Sequence, residues 1–483
     1  MKTIIIYDDT GRKSEVIADI IGERGFADVV VKKRRLEEYY RDELLKEYPD
    51  AVWKRLRSVY EYTALIKELE LLSSEDARIL HCFSNYLISD AHAAGLSFKK
   101  LPYVDDCFAL LSEKRSVAGM FPNVREYLSF CRAVTGGAHA WDLIRNMKEH
   151  SPIDGVVDIG TIGNFIQCIT GNFDSRYFNR FRGNEYTLVK SSSDKKKIKA
   201  EYTFYHLLPD DMKFWFVIPF DYRETETEAS YTMERLHMTD LAIKWVHGSM
   251  DSSEFEELLD KYFYFFASRH SKDCEKEQCR KVADALYVDK VKDRIEQLKK
   301  TEGFRPIEKL LAESDADIDR LAEKYFRLKK AIEKKNKYPS RLVIGHGDPC
   351  FANTLYNKAT RTLKFIDPKG AMTEEELWTD PYYDVAKLSH SVCGRYDFFN
   401  NALFDIRVDA DFSFELDIPF DNSEFKGIFR RKAEENGFDY LSVRIYEASL
   451  FLSMLPLHMD NPHKVLALIL NAKNILKEIE KDA

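Results

Sequence analysis

"HGDPCFANTLYN", His346 to Asn357, follows the apolar run Leu342, Val343, Ile344 and ends on a second strand-like segment around Leu355 and Tyr356. The turn "NKATRT" and a further strand "LKFID" come next, closing on Asp367 ahead of "PKG". Hairpin pairing through that turn returns the end of the last strand to the start of the loop, so Asp348, Asn353 and Asp367 are expected around one point. A carboxylate with an amide carbonyl suits a hard cation such as Mg²⁺, which keeps its other positions for water and phosphate oxygens. A separate carboxylate can accept a hydroxyl proton. Phosphoryl transfer asks for that trio, because the protein mainly positions the reactants and neutralises charge.

Taken singly, Asp348 and Asn353 also fit a turn that satisfies backbone donors. Taken together they set a test, since a kinase further needs an upstream lysine on a strand and a helical glutamate to orient it. Lys190 ends "EYTLVK", and Glu201 lies in the following helix "DKKKIKAEYTFYHLL". The neighbouring Lys195, Lys196, Lys197 and Lys199 read as a solvated helix face.

"HGD", four residues, Asn353 and then "IDP" resemble the aminoglycoside phosphotransferase and choline kinase superfamily, whose fold is similar to that of protein kinases. The resemblance implies an ATP- and Mg²⁺-dependent kinase with Asp348 as catalytic base and Asn353 and Asp367 as metal ligands. It makes Lys190 the phosphate-binding lysine and Glu201 its partner. "YTMERL" would be the hinge strand, with the backbone of Glu234, Arg235 and Leu236 contacting adenine. Asp384 in "DPYYDVAKL" would brace the loop, with His346 structural as well. The implied fold is an α+β, bilobal, protein-kinase-like domain, its smaller lobe at 161–240 and its helical lobe at 241–483. "ITGNFDSR" carries a single glycine where protein kinases have a glycine-rich loop, and "HGD" replaces "HRD"; both favour a small-molecule acceptor. Candidate acceptor contacts are His390, Ser391 and Arg395 in "SHSVCGR", and Trp378.

Residues 1–160 alternate short apolar runs ("TIIIYD", "ADVVVKK", "ARILHCFSNYLI") with longer helical stretches, among them Arg34 to Glu70, which points to an α/β domain. From about Asp158, "GNFIQCITGNF", "SRYFNRF" and "EYTLVKSS" are closely spaced strand candidates, and "KFWFVIPF" and "ASYTMERL" two more. "DIGT" at Asp158 to Thr161, ahead of a helix, resembles the late segment of sugar nucleotidyltransferases. A fusion of this kind is similar to bacterial enzymes of capsule and cell-surface polysaccharide assembly, which implies glycan-assembly partners. The triphosphate-cradling loop of that family is replaced by "YDDTGRKSE", so a diverged nucleotidyltransferase-like, Rossmann-type domain is expected that recognises substrate or partner without catalysing transfer. The alternative is a haloacid-dehalogenase-like site, with "DDTG" as nucleophile loop and Asp105 and Asp106 as metal pair.

The bulk composition narrows the partners. With 483 residues, 45% of them apolar, the chain has length for two to four domains and a large core. A net charge of −8 provides no overall basic field for nucleic acid or anionic lipid. The opening "MKTIIIYDDTGRKSEV" has too short an apolar run for a signal peptide, and no stretch approaches ~18 consecutive apolar residues, so a cytoplasmic protein without a membrane span is expected. Cys82, Cys107, Cys131 and Cys168 read as reduced core thiols. Cys274 and Cys279 with His270 offer three ligands to a structural zinc, without a fourth. Two other readings stay open beside the small-molecule kinase: a non-catalytic nucleotide- or glycan-binding scaffold, and a protein kinase.

Overall fold

The computed structural model describes every residue except 1, 32, 73–76, 171–178, 185, 313, 337–338, 410–412 and 483, and gives the backbone alone for 170 and 179–183. "ITGNFDSR" and "SRYFN" lie mostly outside the described residues. The chain divides into two compact units, Met1–Phe173 and Asp174–Ala483.

The first unit is built on a six-stranded sheet in the order Val52–Leu56, Lys2–Asp8, Ala77–Phe83, Arg115–Phe121, Phe108–Ser112, Glu149–Pro152. Its first three strands run parallel, with Ile4 opposite Val52 and Lys2 opposite Ala77. Arg115–Phe121 is antiparallel to both of its neighbours. The α/β expectation therefore meets a mixed sheet and not an all-parallel one. Ile5, Ile6, Ile79 and Leu80 are buried in consecutive pairs, the mark of strands covered on both faces.

Two sequence expectations fail here. The stretch Arg34 to Glu70 is two helices, Leu36–Glu47 and Glu61–Leu69, separated by the edge strand Val52–Leu56. Pro49 ends the first helix, and the β-branched and aromatic pair Val52 and Trp53 opens the strand. "GNFIQCIT" is helical over Ile162–Thr170, against its reading as a strand and in line with the helix expected after "DIGT", with Phe165 and Ile169 one turn apart and both buried. This helix falls within the first unit, so the division lies beyond residue 160; Phe165 meets Phe26 edge-on at 6.4 Å.

The second unit opens with a four-stranded antiparallel sheet in the order Asn179–Gly183, Thr187–Ser192, Ala229–Glu234, Pro219–Glu224. Only the last part of "KFWFVIPF" joins it. One helix, Lys195–Leu207, packs on this sheet, capped by Asp194 and burying Ile198, Glu201 and Phe204 along one face.

Helices build the remainder. Ser252–Ser268 is capped by Asp251 and buries Phe255, Leu258, Leu259, Tyr262, Phe263 and Phe266 at helical spacing. Tyr440–Met454 runs through the interior, with Tyr446 stacked on Tyr287 at 3.9 Å. The "NKATRT" hairpin forms as expected, pairing Thr354–Asn357 with Thr362–Phe365. Among the described residues no helix is long and apolar enough to cross a membrane.

Cys274 and Cys279 are joined in a disulfide, which leaves no thiolates for zinc; the other six cysteines are free. His270 pairs with Asp211 instead.

Candidate active site

The strand Arg341–Ile344 delivers the chain into the His346–Asn353 loop, and a buried carboxylate shapes it. Asp384, on the helix Tyr383–Val392, accepts hydrogen bonds from the backbone N–H groups of His346 at 2.9 Å and Gly347 at 2.8 Å. The Arg269 guanidinium, itself buried, holds Asp384 at 3.0 Å. Gly347 sits at φ +84°, and a Cβ there would lie 2.5 Å from that of Lys369. Only glycine permits that approach.

His346 is fully buried and stacks parallel to Phe216. Its Nδ1 accepts from the Asp348 N–H at 3.0 Å, so the proton is on Nε2, which donates to Ile366 O at 3.0 Å. Burial lowers its pKa and keeps this neutral tautomer. Asn353 donates from Nδ2 to Asp348 O at 2.9 Å, while Ile366 N donates to Asn353 O at 3.0 Å. One network thus ties Asp348, Asn353 and the approach to Asp367.

Lys190 completes it from the sheet. Its Nζ donates to Glu201 Oε2 at 2.7 Å and to Asp367 Oδ1 at 2.8 Å. Lys190 and Glu201 are buried, and Tyr231 Oη also donates to Glu201, at 3.2 Å. Burial opposes charge on Lys190 and Asp367 alike, but each one's charge outweighs it, raising the lysine and lowering the aspartate. Asp367 adopts φ +54°, a backbone state few non-glycine residues hold, next to the pair that anchors it. The "DPKG" turn locks onto the glutamate helix through Gly370, φ +89°, where a Cβ would lie 2.9 Å from Ala200. Ala371 N donates to Ala200 O at 3.0 Å beside it.

The donor set fits Mg²⁺. With Nδ2 of Asn353 and Oδ1 of Asp367 engaged, Asn353 Oδ1 and Asp367 Oδ2 are left as two hard oxygens. Among the described residues no cluster of three or more His, Cys, Asp or Glu forms a protein-only metal cage. Few protein ligands, with water and phosphate supplying the rest, is the coordination Mg²⁺ prefers.

One site residue escaped the sequence reading. Lys387 Nζ lies 3.0 Å from Asp348 Oδ1. Burial opposes charge on the half-buried Asp348, but the Lys387 ammonium outweighs it and lowers the carboxyl's pKa. The available signal was a lone lysine in the otherwise buried run Val385, Ala386, Leu388.

The remaining candidates make contacts of their own. Glu234 N donates to Ile218 O and Arg235 N to Tyr186 O, while Leu236 packs against the cluster of Ile198, Tyr231 and Met233. His390 is buried and stacked on Tyr396 at 4.1 Å. Ser391 is buried and accepts from Phe351 N at 3.1 Å. Arg395 donates to Phe420 O, and Trp378 lies under the Lys272 ammonium at 4.4 Å. His390 and Ser391 are both almost wholly buried, and the Ser391 hydroxyl supports the loop from behind.

In the first unit, Asp8 is held by Tyr62 at 2.7 Å and His81 at 3.2 Å, and Asp9 by Arg55 and Ser84, each at 2.6 Å. Asp105 and Asp106 precede the strand Phe108–Ser112, which runs in the same direction as Lys2–Asp8, so they sit at the opposite end of the strands from the loop after Asp8. That excludes the dehalogenase-like metal pair. Asp158 is occupied by Arg115 at 2.6 Å and Asn85 at 2.7 Å.

No family model matches the sequence, and no curated protein matches it. Among solved structures the chain is similar to a thermostable mutant of aminoglycoside phosphotransferase APH(4)-Ia in its apo form, at 12% identity and a TM-score of 0.34, over 63% of this chain and 94% of that one. A ternary complex of such a mutant with ADP and hygromycin B matches at 12% identity and a TM-score of 0.35, over 63% of this chain and 93% of that one.

Proposed function

We propose that this chain is an ATP- and Mg²⁺-dependent phosphotransferase of the cytoplasm, moving the γ-phosphate to a hydroxyl of a sugar, polyol or amino alcohol in surface polysaccharide biosynthesis. What carries the reading is the Lys190 ammonium, bonded at once to Glu201 and to Asp367, 177 residues away. A purely structural lysine has no need of a partner at the mouth of the Asp348 loop.

Lys190 anchors the nucleotide phosphates, with Glu201 fixing its direction. Asp348, ionised beside Lys387, positions the acceptor hydroxyl and takes its proton. Asn353 Oδ1 and Asp367 Oδ2 hold Mg²⁺, which neutralises phosphate charge when bound. With the N–H groups of Glu234 and Arg235 engaged, adenine contacts fall to the carbonyls of that segment and the N–H of Leu236. The first unit recognises substrate or a glycan-assembly partner without catalysing transfer, since Arg115 already occupies Asp158.

The test uses γ-labelled ATP, Mg²⁺ and a small-molecule extract of glycan precursors. Label is expected in a small molecule, at least ~10³-fold slower with Asp348→Asn, whose fold is unchanged. Label entering protein only, or wild-type turnover by Asp348→Asn, refutes the reading.

A further inference from the structure

We infer that Lys387 is a catalytic residue whose ammonium binds the transferred phosphoryl group from the side of the base. The inference rests on the proposed phosphotransferase reading and adds to it a group supplied by a different element.

Charge supplies the first reason. Lys190 is the cation expected at the nucleotide, yet Glu201 and Asp367 already engage it at 2.7 and 2.8 Å. A loose phosphoryl transition state spreads negative charge over three equatorial oxygens, and neutralising that charge is most of what the protein contributes. Lys190 and the proposed metal serve the nucleotide side, which leaves the acceptor side of the transferred group for a further cation.

Geometry supplies the second. Lys387 Nζ is 3.0 Å from Asp348 Oδ1, so it stands in the same shell as an acceptor oxygen bonded to that carboxylate. An ammonium has three protons to donate, and Asp348 is the one carboxylate bonded to it among the described residues. Lys387 follows Asp384 by one helical turn, and Asp384 fixes the loop through His346 and Gly347. One rigid helix thus sets both the loop's shape and the cation's position. Lys290, donating to Tyr383 Oη at 3.1 Å on the same helix, adds a second ammonium one turn away.

In the step itself the acceptor O–H gives its proton to Asp348, and the acceptor oxygen bonds to the γ-phosphorus. The bond from that phosphorus to the β–γ bridging oxygen breaks, and its electron pair leaves on ADP. Asp348 then releases the proton to water. Lys387 keeps its own protons throughout and donates hydrogen bonds to the equatorial oxygens in flight.

Removing Lys387 also unmasks the Asp348 charge, which alone would repel a γ-phosphate, so the test is a double-mutant cycle. Dissociation constants of ADP and of AMP-PNP, each with Mg²⁺, are measured by calorimetry for wild type, Lys387→Met, Asp348→Asn and the double variant. If Lys387 binds the γ-phosphoryl, adding Lys387→Met to Asp348→Asn still weakens AMP-PNP about tenfold or more while ADP stays within about twofold. Lys387→Arg restores part of the loss. If Lys387 only pairs with Asp348, the substitution has no effect in the Asp348→Asn background, and the inference falls. Should wild type bind neither nucleotide, the phosphotransferase reading itself fails, a result distinguishable from the first.

Discussion

Replacing Lys190 by methionine tests the centre of the site. The side chain is fully buried, and its ammonium separates two carboxylates that sit no farther apart than its two contacts of 2.7 and 2.8 Å allow. Methionine fills the stem's volume and removes the charge. Breaking a buried ion pair on one side costs about 3–5 kcal/mol, because the abandoned charge stays in a poorly hydrated place. Two features trim this. Asp367 keeps 31% of its side chain exposed, and Lys197 still approaches Glu201 at 3.6 Å from a solvated position. A loss of about 3 kcal/mol at pH 8 is expected.

The pH dependence has a definite sign. In wild type the lowered pKa of Asp367 contributes stability that is present above its unfolded value and lost only in acid. In the variant, two carboxylates facing each other without a cation raise one another's pKa, so the folded state loses stability as pH rises through the new value. The deficit therefore narrows on going from pH 8 to pH 5.5. Urea denaturation reads it in a background with Trp53 and Trp141 of the first unit changed to Phe, where Trp215, Trp245 and Trp378 report the second unit alone. A deficit below about 1 kcal/mol at pH 8, or one equal at both pH values, refutes the reasoning.

Three further outcomes are expected. Asp384→Ala leaves the Arg269 cation buried and two loop N–H groups without acceptors, so the second unit loses about 3–5 kcal/mol and the Gly347 amide exchanges faster with deuterium; unchanged exchange argues against the brace. Burial pushes the Asp397 carboxyl up to about 7, so its contribution is full below the ordinary carboxylate range and lost as pH rises toward 7; Asp397→Asn should raise Tm at pH 8 and lose that advantage at pH 5. Reducing the Cys274–Cys279 bridge, a closure of only five residues, should cost about 2 kcal/mol, seen as a Tm shift with dithiothreitol that Cys274→Ser/Cys279→Ser does not show.

The elements that were legible in the sequence share one property: their signal is local. The hairpin Thr354–Phe365 was set by a turn between two short apolar strands, and the glutamate helix by Asp194 ahead of a face spaced at helical period. The Lys190–Glu201 pair could be anticipated because strand and helix adjoin in the chain. Where local cues compete, the sequence misled. Val52–Leu56 hid between two helices because its exposed edge position leaves it as charged as they are, and Ile162–Thr170 passed for a strand because short apolar runs carry little period.

The acceptor side was the least legible part, for a different reason. Polar residues near a motif read as contacts, yet on the helix Tyr383–Val392 the residues His390 and Ser391 turn inward while Lys387 reaches the base. Neighbourhood in sequence ranks all three equally; only the helix's rotation separates them. That rotation is fixed by Asp384, which must face the backbone of His346 and Gly347. Lys387 stands three residues on, a 300° advance that brings it close to the same face, whereas His390 lies six residues on and Ser391 seven. At 240° and 340°, His390 turns off that face and Ser391 returns to it one turn deeper, where its hydroxyl meets Phe351 N beneath the loop. The brace that shapes the Asp348 loop therefore also selects the side chain that meets its carboxylate, so a variant that loosened Asp384 would displace the loop and Lys387 together.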